Sequence, residues 1–283
     1  MTALETDAPS LRRAVAVMAG RPTSDGAGVK LTRVIGQPAL PDLDPFLMLD
    51  EFRSDDAKDY IAGFPDHPHR GFETVTYMLA GRMRHEDNKG HTGLLRPGSV
   101  QWMTAGRGIV HSELPEQENG LMWGFQLWVN LPARDKMSAP RYQEIQPEEI
   151  PEAAIAGGGL VRVIAGRFGT VAGPISGVAT DPTYLDVTLP AGGRFAHELP
   201  AAHNAFVYVF EGAAEIGGEK IARGRIVVLS RGERIEVTSP EGGRFLLVAG
   251  KPLGEPVAKY GPFVMSTVEE LRQAVDDFQA GRF

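Results

Sequence analysis

The feature that most constrains the fold of this chain is a short internal repeat. Residues 77–81 (Tyr-Met-Leu-Ala-Gly) resemble residues 208–212 (Tyr-Val-Phe-Glu-Gly), and residues 98–106 resemble residues 224–232 with the same spacing from glycine to glycine. Self-similarity of this kind indicates a structural unit that occurs more than once. The matched segments are strand-like runs that end in turn residues, so the repeat predicts two copies of one β-barrel unit.

The size and composition of the chain agree with two such units. With 283 residues, of which 42% are hydrophobic, the chain is long enough for two ordinary cores. Its 34 glycines and 21 prolines indicate many turns. We therefore predict an all-β protein with an N-terminal barrel over residues 1–140 and a C-terminal barrel over residues 141–283. The proline-rich stretch 132–151 is interpreted as the linker between them.

Only the end of the chain has a helical pattern. Thr267 and Glu270 have the spacing of a capping box. Apolar residues then recur at helix spacing as far as Phe278, and Gly281 follows as a stop signal. The pattern predicts one short C-terminal helix at about residues 268–280.

Two tight pairs of polar residues stand out in the first copy. His67 and His69 form a His-x-His pair, and His111 and Glu113 form a His-x-Glu pair. Side chains two residues apart on a strand project from the same face, roughly 7 Å apart. If the two strands face each other in a barrel, three imidazoles and one carboxylate surround a point, which predicts a transition-metal site.

The second copy lacks such pairs. Counting back from Gly212 places Glu198 and Pro200 at the positions of the first pair, and counting forward from Gly232 places Val237 and Ser239 at those of the second. None of these is a histidine. We therefore predict one metal per chain, held in the N-terminal half.

Charge and cysteine content exclude several classes of function. A net charge of −7 argues against nucleic-acid binding, which depends on clustered Lys and Arg. The absence of cysteine excludes disulfides, thiolate metal sites and Cys nucleophiles, and it fits a reducing compartment. No apolar run approaches the roughly 20 residues of a membrane span. We expect a soluble cytoplasmic protein, and a monomer because no coiled-coil or edge signal indicates otherwise.

Two longer motifs surround the histidines, Phe-Pro-Asp-His-Pro-His-Arg-Gly-Phe-Glu-Thr-Val at residues 64–75 and Gln-Trp-Met-Thr-Ala-Gly-Arg-Gly-Ile-Val-His-Ser-Glu at residues 101–113. These motifs resemble the pirin family, a branch of the cupins. The resemblance continues at residues 126–131 and 260–267, and so covers most of the chain. It implies a bicupin, that is, two antiparallel β-barrels of the jelly-roll type with one metal in the N-terminal barrel.

The resemblance also implies the ligand set. Pirins bind their metal through three His and one Glu, which fall here on His67, His69, His111 and Glu113. Glu73 occupies the carboxylate position of cupins in general. The sequence by itself does not choose between the two acids, whereas the resemblance to pirins favours Glu113 and leaves Glu73 as a hydrogen-bonding residue behind the ligands.

The function that the resemblance implies is oxygen chemistry on a flavonol. Pirin-like proteins are associated with quercetin 2,3-dioxygenase activity, so we predict an enzyme that takes a small aromatic substrate and O2 at one divalent transition metal. Fe(II) is favoured, while the ligands also suit Mn, Ni, Cu and Zn. Glu113 is predicted to be both ligand and catalytic base, accepting the proton of the flavonol 3-hydroxyl before the heterocycle opens and carbon monoxide leaves.

Two alternatives stay open. Mammalian pirin is associated with coregulation of transcription factors, which makes a redox-sensing regulatory protein with a protein partner the second hypothesis. The third is a cupin that acts on another small metabolite.

Other residues near the metal pairs are candidates for the surroundings of the pocket. His85 and His91 fall in the polar stretch 82–92, where exposure is the prediction and a place at the pocket mouth is the alternative. The candidate pocket walls are Phe64, Met103, Trp123 and Gln126.

Overall fold

The structure is a computed structural model that describes residues 10–283, and within them the chain forms 25 β-strands and one α-helix. The strands of the first half are β1 (Ala14–Ala19), β2 (Arg21–Asp25), β3 (Val29–Ile35), β4 (Phe46–Ser54), β5 (Phe64–His69), β6 (Phe72–Ala80), β7 (Met83–Asp87), β8 (Thr92–Leu95), β9 (Val100–Thr104), β10 (Ile109–Pro115), β11 (Met122–Asn130) and β12 (Arg141–Ile145).

The remaining elements are β13 (Glu152–Ile155), β14 (Gly159–Ala165), β15 (Arg167–Phe168), β16 (Val171–Ala172), β17 (Thr183–Leu189), β18 (Gly193–Glu198), β19 (Asn204–Ile216), β20 (Glu219–Ala222), β21 (Arg225–Leu229), β22 (Arg234–Ser239), β23 (Gly243–Gly250), β24 (Ala258–Tyr260), β25 (Phe263–Met265) and α1 (Val268–Gln279). Short 3-10 turns occur at Ala57–Asp59, Ala133–Asp135 and Pro147–Glu149.

The described residues divide into two compact units that interleave along the chain. The first unit consists of Gly20–Ile150, Pro174–Asp181 and Leu253–Phe283. The second unit consists of residues 10–19, Pro151–Gly173 and Pro182–Pro252. Each unit thus includes segments from both sides of the boundary that the sequence predicts between residues 140 and 141.

Two large antiparallel sheets and the short hairpin β24-β25 belong to the first unit. The larger has the order β12-β9-β6-β11-β4-β3-β2, and the smaller has the order β5-β10-β7-β8. The apolar side chains of this unit include the buried cluster Val29, Leu31, Phe52, Tyr60, Met78, Met83, Leu95 and Met122. The strands are arranged as a jelly roll rather than a closed barrel. The prediction of an all-β bicupin is confirmed in this respect.

The second unit has the same class of architecture, with an apolar core that includes Val163, Phe195 and Leu247. Its main path of strands is β1-β21-β19-β23-β17-β14-β13, with β18, β20 and β22 attached to it. The 13-residue β19 pairs with four neighbouring strands, and its register shifts between Val209 and Glu211. Gly212 follows with φ +61°, a backbone conformation that glycine adopts without strain.

The centre of the larger sheet of the first unit is β11. It pairs with β4 on one side and β6 on the other, so most of its side chains are buried on both faces. The sequence predicts this burial from the apolar residues on both faces of the strand.

The interpretation of residues 132–151 as a linker was wrong. They contain β12, which pairs in continuous register with β9 and forms an edge of the larger sheet. Its alternating polar sequence is typical of an edge strand, one face of which meets water. The misreading matters because β12 brings Tyr142 and Glu144 next to the histidines.

The C-terminal helix is confirmed. In α1 the side chain of Thr267 accepts a hydrogen bond from the Glu270 amide, and the Glu270 carboxylate accepts one from the Thr267 amide, which completes the predicted capping box. Its buried residues Leu271 and Ala274 pack on Phe263 and Met265. Among the described residues, no helix is both long enough and apolar enough to cross a membrane.

Candidate metal centre

The pairing of β5 with β10 brings three histidines together. The antiparallel register places His111 opposite His67, and Ile109 opposite His69. One nitrogen atom of each histidine lies within 4.8 Å of the others. The ring centroids are 4.3 Å apart for His67 and His111 and 4.9 Å apart for His69 and His111. Three of the four residues predicted as ligands therefore form one cluster.

The chemical state of these rings fits a metal ion. Burial lowers the pKa of His69 and of His111 well below the usual value, and the neighbouring histidines lower it further. Neutral imidazole has a free lone pair for a metal. Nδ1 of His69 and Nε2 of His111 are buried, and neither has a hydrogen-bond partner within the described part of the chain. Buried nitrogen atoms are rarely left without a partner, and a cation held by the cluster would give these two atoms one.

Glu113 lies beside the histidines but is held by other residues. A register shift separates it from His111 on β10, and its side chain is 2% exposed. The Thr76 hydroxyl lies 3.0 Å from Oε1, and the Gln126 amide donates to Oε2 at 3.0 Å. The carboxylate is not part of the 4.8 Å histidine cluster. Its assignment as a metal ligand stays a prediction.

Glu73 faces away from the centre. It is three residues before Thr76 on β6, and because strand residues alternate, the two side chains project from opposite faces of the sheet. Glu73 accepts a hydrogen bond from the Thr104 hydroxyl at 2.7 Å, and burial raises the pKa of its carboxyl group. Of the two acids that the sequence left open, only Glu113 lies on the side of the histidines.

The prediction that His85 is exposed was wrong. It lies on β7, which is paired on both sides by β10 and β8, and its side chain is fully buried. Its Nδ1 atom is 3.3 Å from Nδ1 of His111, and burial lowers its pKa. The alternation of Met83, His85 and Asp87 is a signal that could have identified this strand.

His91 is partly exposed and belongs to the same region. Its ring stacks on that of Tyr142 with centroids 4.1 Å apart, and its Nε2 lies 3.0 Å from Glu144. The Gln101 amide donates to the same carboxylate at 2.6 Å. Tyr142 and Glu144 are the functional candidates that the sequence reasoning missed, because it assigned them to a linker.

The second unit repeats the strand pair without the ligands. There β18 pairs with β22, with Phe195 opposite Val237 and His197 opposite Ile235. The counterpart of the His67–His111 pair is therefore Phe195–Val237, which belongs to the apolar core. Burial lowers the pKa of His197 to about 4.

This register corrects the predicted counterparts of the first pair, Glu198 and Pro200, by three residues. The difference arises because the connection between β18 and β19 spans residues 199–203, whereas that between β5 and β6 spans only 70–71. The conclusion that the second copy has no ligand pair is unaffected. Among the described residues, the only cluster that could hold a metal is the one in the first unit.

A large cavity lies next to the histidine cluster. Its volume is about 1150 Å³, and His67, His69 and Glu113 line one part of it. The apolar lining includes Leu31, Phe52, Phe64, Met83 and Trp128. The same wall carries polar and charged residues, among them Arg33, Asp50 and Gln126. A cavity of this size, with apolar surface and convergent polar groups, is typical of a small-molecule site.

Two of the four residues predicted to form the pocket wall line the cavity. Phe64 and Gln126 line the cavity, whereas Met103 and Trp123 are not among its lining residues. Gln126 and Trp128 are two residues apart on β11 and project from the face that lines the cavity. Trp123 is an odd number of residues from both, so strand alternation directs it to the opposite face. There its indole donates to Glu51 at 2.8 Å.

Two ion pairs stand in the wall of the cavity, Lys259 with Asp42 and the more buried pair Arg33 with Asp50. Arg33 donates to both oxygens of Asp50, at 3.0 and 2.8 Å, and also to the more exposed Asp25. Burial raises the pKa of Asp50, and the Arg33 guanidinium opposes this shift. The wall thus carries charges that are already paired within the protein.

The fold and the site together define a bicupin with one histidine cluster that could hold a metal ion. Residues 28–129 match the family model described as Pirin, and residues 184–283 match that of the Pirin C-terminal cupin domain. The chain belongs to the pirin family.

Known proteins resemble the chain over nearly its full length. A pirin-like protein of Caulobacter vibrioides is 56% identical over 274 residues, which are 96% of this chain and 99% of the relative. Human pirin is 44% identical over 92% of this chain and 89% of its own length. The crystal structure of a quercetin 2,3-dioxygenase from Acinetobacter baumannii has a TM-score of 0.89 at 33% identity, covering 97% of this chain and 99% of that one.

Proposed function

We propose that this protein is a metal-dependent dioxygenase that opens the heterocycle of a flavonol such as quercetin. The observation that carries the proposal is the position of the histidine cluster, which lies in the wall of a mainly apolar cavity of about 1150 Å³. The similarity to a quercetin 2,3-dioxygenase of Acinetobacter baumannii supports the substrate class. A flat polyphenol fits such a cavity, because its rings need apolar walls and its hydroxyl groups need a few polar partners.

The residues that would hold the metal are His67, His69, His111 and Glu113. Three imidazoles and one carboxylate suit a divalent first-row ion, and we favour Fe(II) over Mn, Ni, Cu and Zn. When bound, such an ion supplies a redox-active Lewis acid next to the cavity.

The carboxylate of Glu113 is the proposed catalytic base. It faces the cavity and can accept the proton of a substrate hydroxyl that lies within hydrogen-bond reach. The Gln126 amide donates to it, and the Thr76 hydroxyl shares its single proton between this carboxylate and the Gln126 amide oxygen. Hydrogen bonds of this kind keep the accepting oxygen in place and lower the reorganisation needed for proton transfer.

The apolar wall has a second role in the proposal. Phe52, Phe64 and Trp128 offer flat or bulky apolar surfaces beside the histidines. A polyphenol bound against them would displace water from the reacting region. Exclusion of water strengthens the electrostatic interactions of the carboxylate and protects an electron-rich substrate from side reactions.

A turnover assay tests the substrate. The purified protein is analysed for metal, reloaded separately with Fe(II), Mn(II), Ni(II) or Cu(II), and mixed with quercetin in air. We expect loss of the near-visible absorbance of quercetin together with release of carbon monoxide. If no metal-loaded form consumes quercetin, the enzyme assignment for this substrate is wrong.

Two substitutions test the ligands. His67→Ala and Glu113→Ala should each lose most of the bound metal. A matched control is His197→Ala, because His197 occupies the counterpart of a ligand position in the second unit and lies outside the metal centre. Full metal retention in His67→Ala or Glu113→Ala would refute the assignment of that residue, and more than one metal per wild-type chain would refute the single-site proposal.

The second candidate is a redox-sensing regulatory protein that uses the same metal. It rests on the similarity to human pirin. Stoichiometric metal without consumption of quercetin would favour this candidate over the enzyme. Cytoplasmic location and a monomeric state remain predictions.

A further inference from the structure

A chain of hydrogen bonds leads from one metal-site histidine to the edge of the sheet. Nδ1 of His111 lies 3.3 Å from Nδ1 of His85, and Nε2 of His85 lies 3.1 Å from the Tyr142 hydroxyl. That hydroxyl lies 2.6 Å from Oδ2 of Asp87. The first members of the chain are almost fully buried, with His111 1% and His85 0% exposed. The four residues come from β10, β7 and β12.

Asp87, at the outer end of this chain of hydrogen bonds, determines which atom donates and which accepts in every bond. Oδ1 of Asp87 accepts the backbone amides of Lys89 and His91, at 2.8 and 2.9 Å, so the carboxylate acts as an acceptor. The Tyr142 hydroxyl has a single proton, which the short contact to Asp87 uses. Its oxygen then offers only lone pairs to His85.

The remaining steps fix the tautomer of both histidines. Nε2 of His85 must carry a hydrogen to bond the Tyr142 oxygen, so Nδ1 of the neutral ring is bare. A bare Nδ1 accepts a hydrogen bond, and its neighbour is Nδ1 of His111. His111 therefore carries its hydrogen on Nδ1 and has its lone pair on Nε2. That Nε2 atom is the buried one without a hydrogen-bond partner among residues 10–283.

The ring of Tyr142 is held in the position that this chain requires. His91 stacks on it, with an angle of 19° between the ring planes, and the Glu144 carboxylate holds His91. The ring of His85 meets that of Tyr142 edge to face, with centroids 5.2 Å apart. The hydroxyl thus has little freedom to turn away from His85.

We propose that His85, Tyr142 and Asp87 form a positioning relay that selects the metal-binding tautomer of His111. The proposal rests on the part of the proposed function that places a metal on the three histidines, and it does not depend on the substrate. The other two histidines are oriented by backbone groups: Nδ1 of His67 lies 2.8 Å from the Pro65 carbonyl, and His69 bonds the Pro262 carbonyl. His111 is the member of the cluster whose orienting partner is a side chain.

The relay makes a prediction that simple packing does not make. In Tyr142→Phe, Nε2 of His85 loses its acceptor, and His85 is free to carry its hydrogen on Nδ1 instead. It would then donate to Nδ1 of His111 and shift the hydrogen of His111 to Nε2, where it blocks the metal. Tyr142 is linked to His111 only through His85 in this chain of hydrogen bonds. Its substitution should therefore weaken metal binding through the tautomer of His111 alone.

Two measurements test the relay in the full-length protein. Nitrogen-15 NMR of the metal-free protein reports the tautomer of His111, and titration with Ni(II) or Zn(II) reports affinity. We expect the Nδ1–H tautomer in the wild type, a mixture in Tyr142→Phe, and affinity about tenfold lower in that variant. His85→Leu should lose about 10- to 100-fold, since changes behind metal ligands have effects of this size.

The controls separate the relay from general destabilisation. His85→Asn places an oxygen acceptor close to the position of the original Nδ1, so it should restore affinity to within about threefold of the wild type. Tyr60→Phe removes a hydroxyl that bonds the Gly120 carbonyl at 2.8 Å, away from the relay, and should leave affinity and tautomer unchanged.

The outcomes distinguish failure of the relay from failure of the proposed function. An Nε2–H tautomer of His111 in the wild type, or unchanged affinity in both Tyr142→Phe and His85→Leu, overturns the relay while the metal site stands. Absence of metal binding by the wild type overturns both. Intact metal binding without turnover of quercetin overturns only the substrate and leaves the relay supported by its own measurements.

Discussion

Lys136 is a buried cation whose titration should be visible in the stability of the first unit. Its side chain is only 2% exposed, and Nζ donates to Gly71 O at 2.8 Å, Asn130 Oδ1 at 2.7 Å and Val264 O at 3.1 Å. All three acceptors are uncharged. Burial lowers the pKa of Lys136 from 10.5 to about 8, and Glu255 and Glu270 oppose the shift.

The sign of the pH dependence follows from proton linkage. Between pH 8 and pH 10.5 the unfolded chain keeps the proton on Lys136, while the folded protein has released it. Because the unfolded state then binds more protons, the free energy of unfolding rises with pH in this window. Between pH 7 and pH 9.5, these two pKa values correspond to a gain of about 2 kcal/mol, and below pH 7 the contribution no longer changes.

The substitution Lys136→Met removes this gain. All three tryptophans, Trp102, Trp123 and Trp128, lie in the first unit, so denaturant unfolding followed by tryptophan fluorescence reports that unit. The difference in unfolding free energy between wild type and variant should change by about 2 kcal/mol between pH 7 and pH 9.5, in favour of the wild type at high pH.

The matched control for this experiment is Lys58→Met, which removes an exposed ammonium group of the same unit. Measured at the same two pH values, this variant shows how the loss of an exposed ammonium group affects the unfolding free energy of the unit. The assignment of a lowered pKa to Lys136 is wrong if Lys136→Met gains as much unfolding free energy as the wild type between pH 7 and pH 9.5. It is also wrong if the wild type loses unfolding free energy relative to Lys136→Met over that range.

Three further predictions concern the same unit. Gly71 has φ +88°, and a Cβ there would overlap the Val264 carbonyl, so Gly71→Ala should lose about 3 kcal/mol of unfolding free energy. Gly90 has a similar φ of +86° but open space around it, so Gly90→Ala should lose only about 1 kcal/mol in the same fluorescence assay. The unfolding free energy of the first unit should be about 2.7 kcal/mol lower after a chelator has removed the metal than at a free metal concentration of about 100 times the Kd. Hydrogen exchange in the second unit should be the same under both conditions. Leu271→Ala, at a buried position of α1, should cost about 2–3 kcal/mol, and Val268→Ala, at a position 52% exposed, should stay within about 0.5 kcal/mol. Equal losses within either matched pair would contradict the packing described for it.

The parts of the site that the sequence predicts are those set by local alternation. His67 and His69 are two residues apart on one strand, and so their shared face follows from the strand itself. The C-terminal helix is predicted for the same reason, because its cap and its apolar spacing are local. What the sequence does not contain is the register between β5 and β10, which brings His111 opposite His67.

The parts that the sequence misses depend on contacts between distant strands. His85 reads as a loop residue because the residues around it are charged, yet β10 and β8 bury it from both sides. Tyr142 lies in a stretch where prolines suggest a linker, and it becomes part of a sheet only through β9. A polar strand has little periodic signal of its own, so tertiary pairing decides its structure.

The polar wall of the centre is built by one residue from each of five adjacent strands. Asp50, Gln126, Thr76, Gln101 and Glu144 lie in direct register across β4, β11, β6, β9 and β12. A buried polar group without a partner costs about 1–3 kcal/mol. Hydrogen bonds avoid that cost here, since Thr76 bonds Gln126 at 2.8 Å and Gln101 bonds Glu144 at 2.6 Å.

Along its own strand, nothing marks such a residue as part of a set: Gln126 stands among apolar neighbours, whereas Glu144 is one of several polar residues of β12. Pairing turns the set into a continuous row. The middle of the row orients the Glu113 carboxylate, and one end holds the His91 ring that fixes Tyr142. The proposed base and the proposed relay to His111 are therefore supported by the same row, and a change in the register of β6 against β9 or β11 would disturb both.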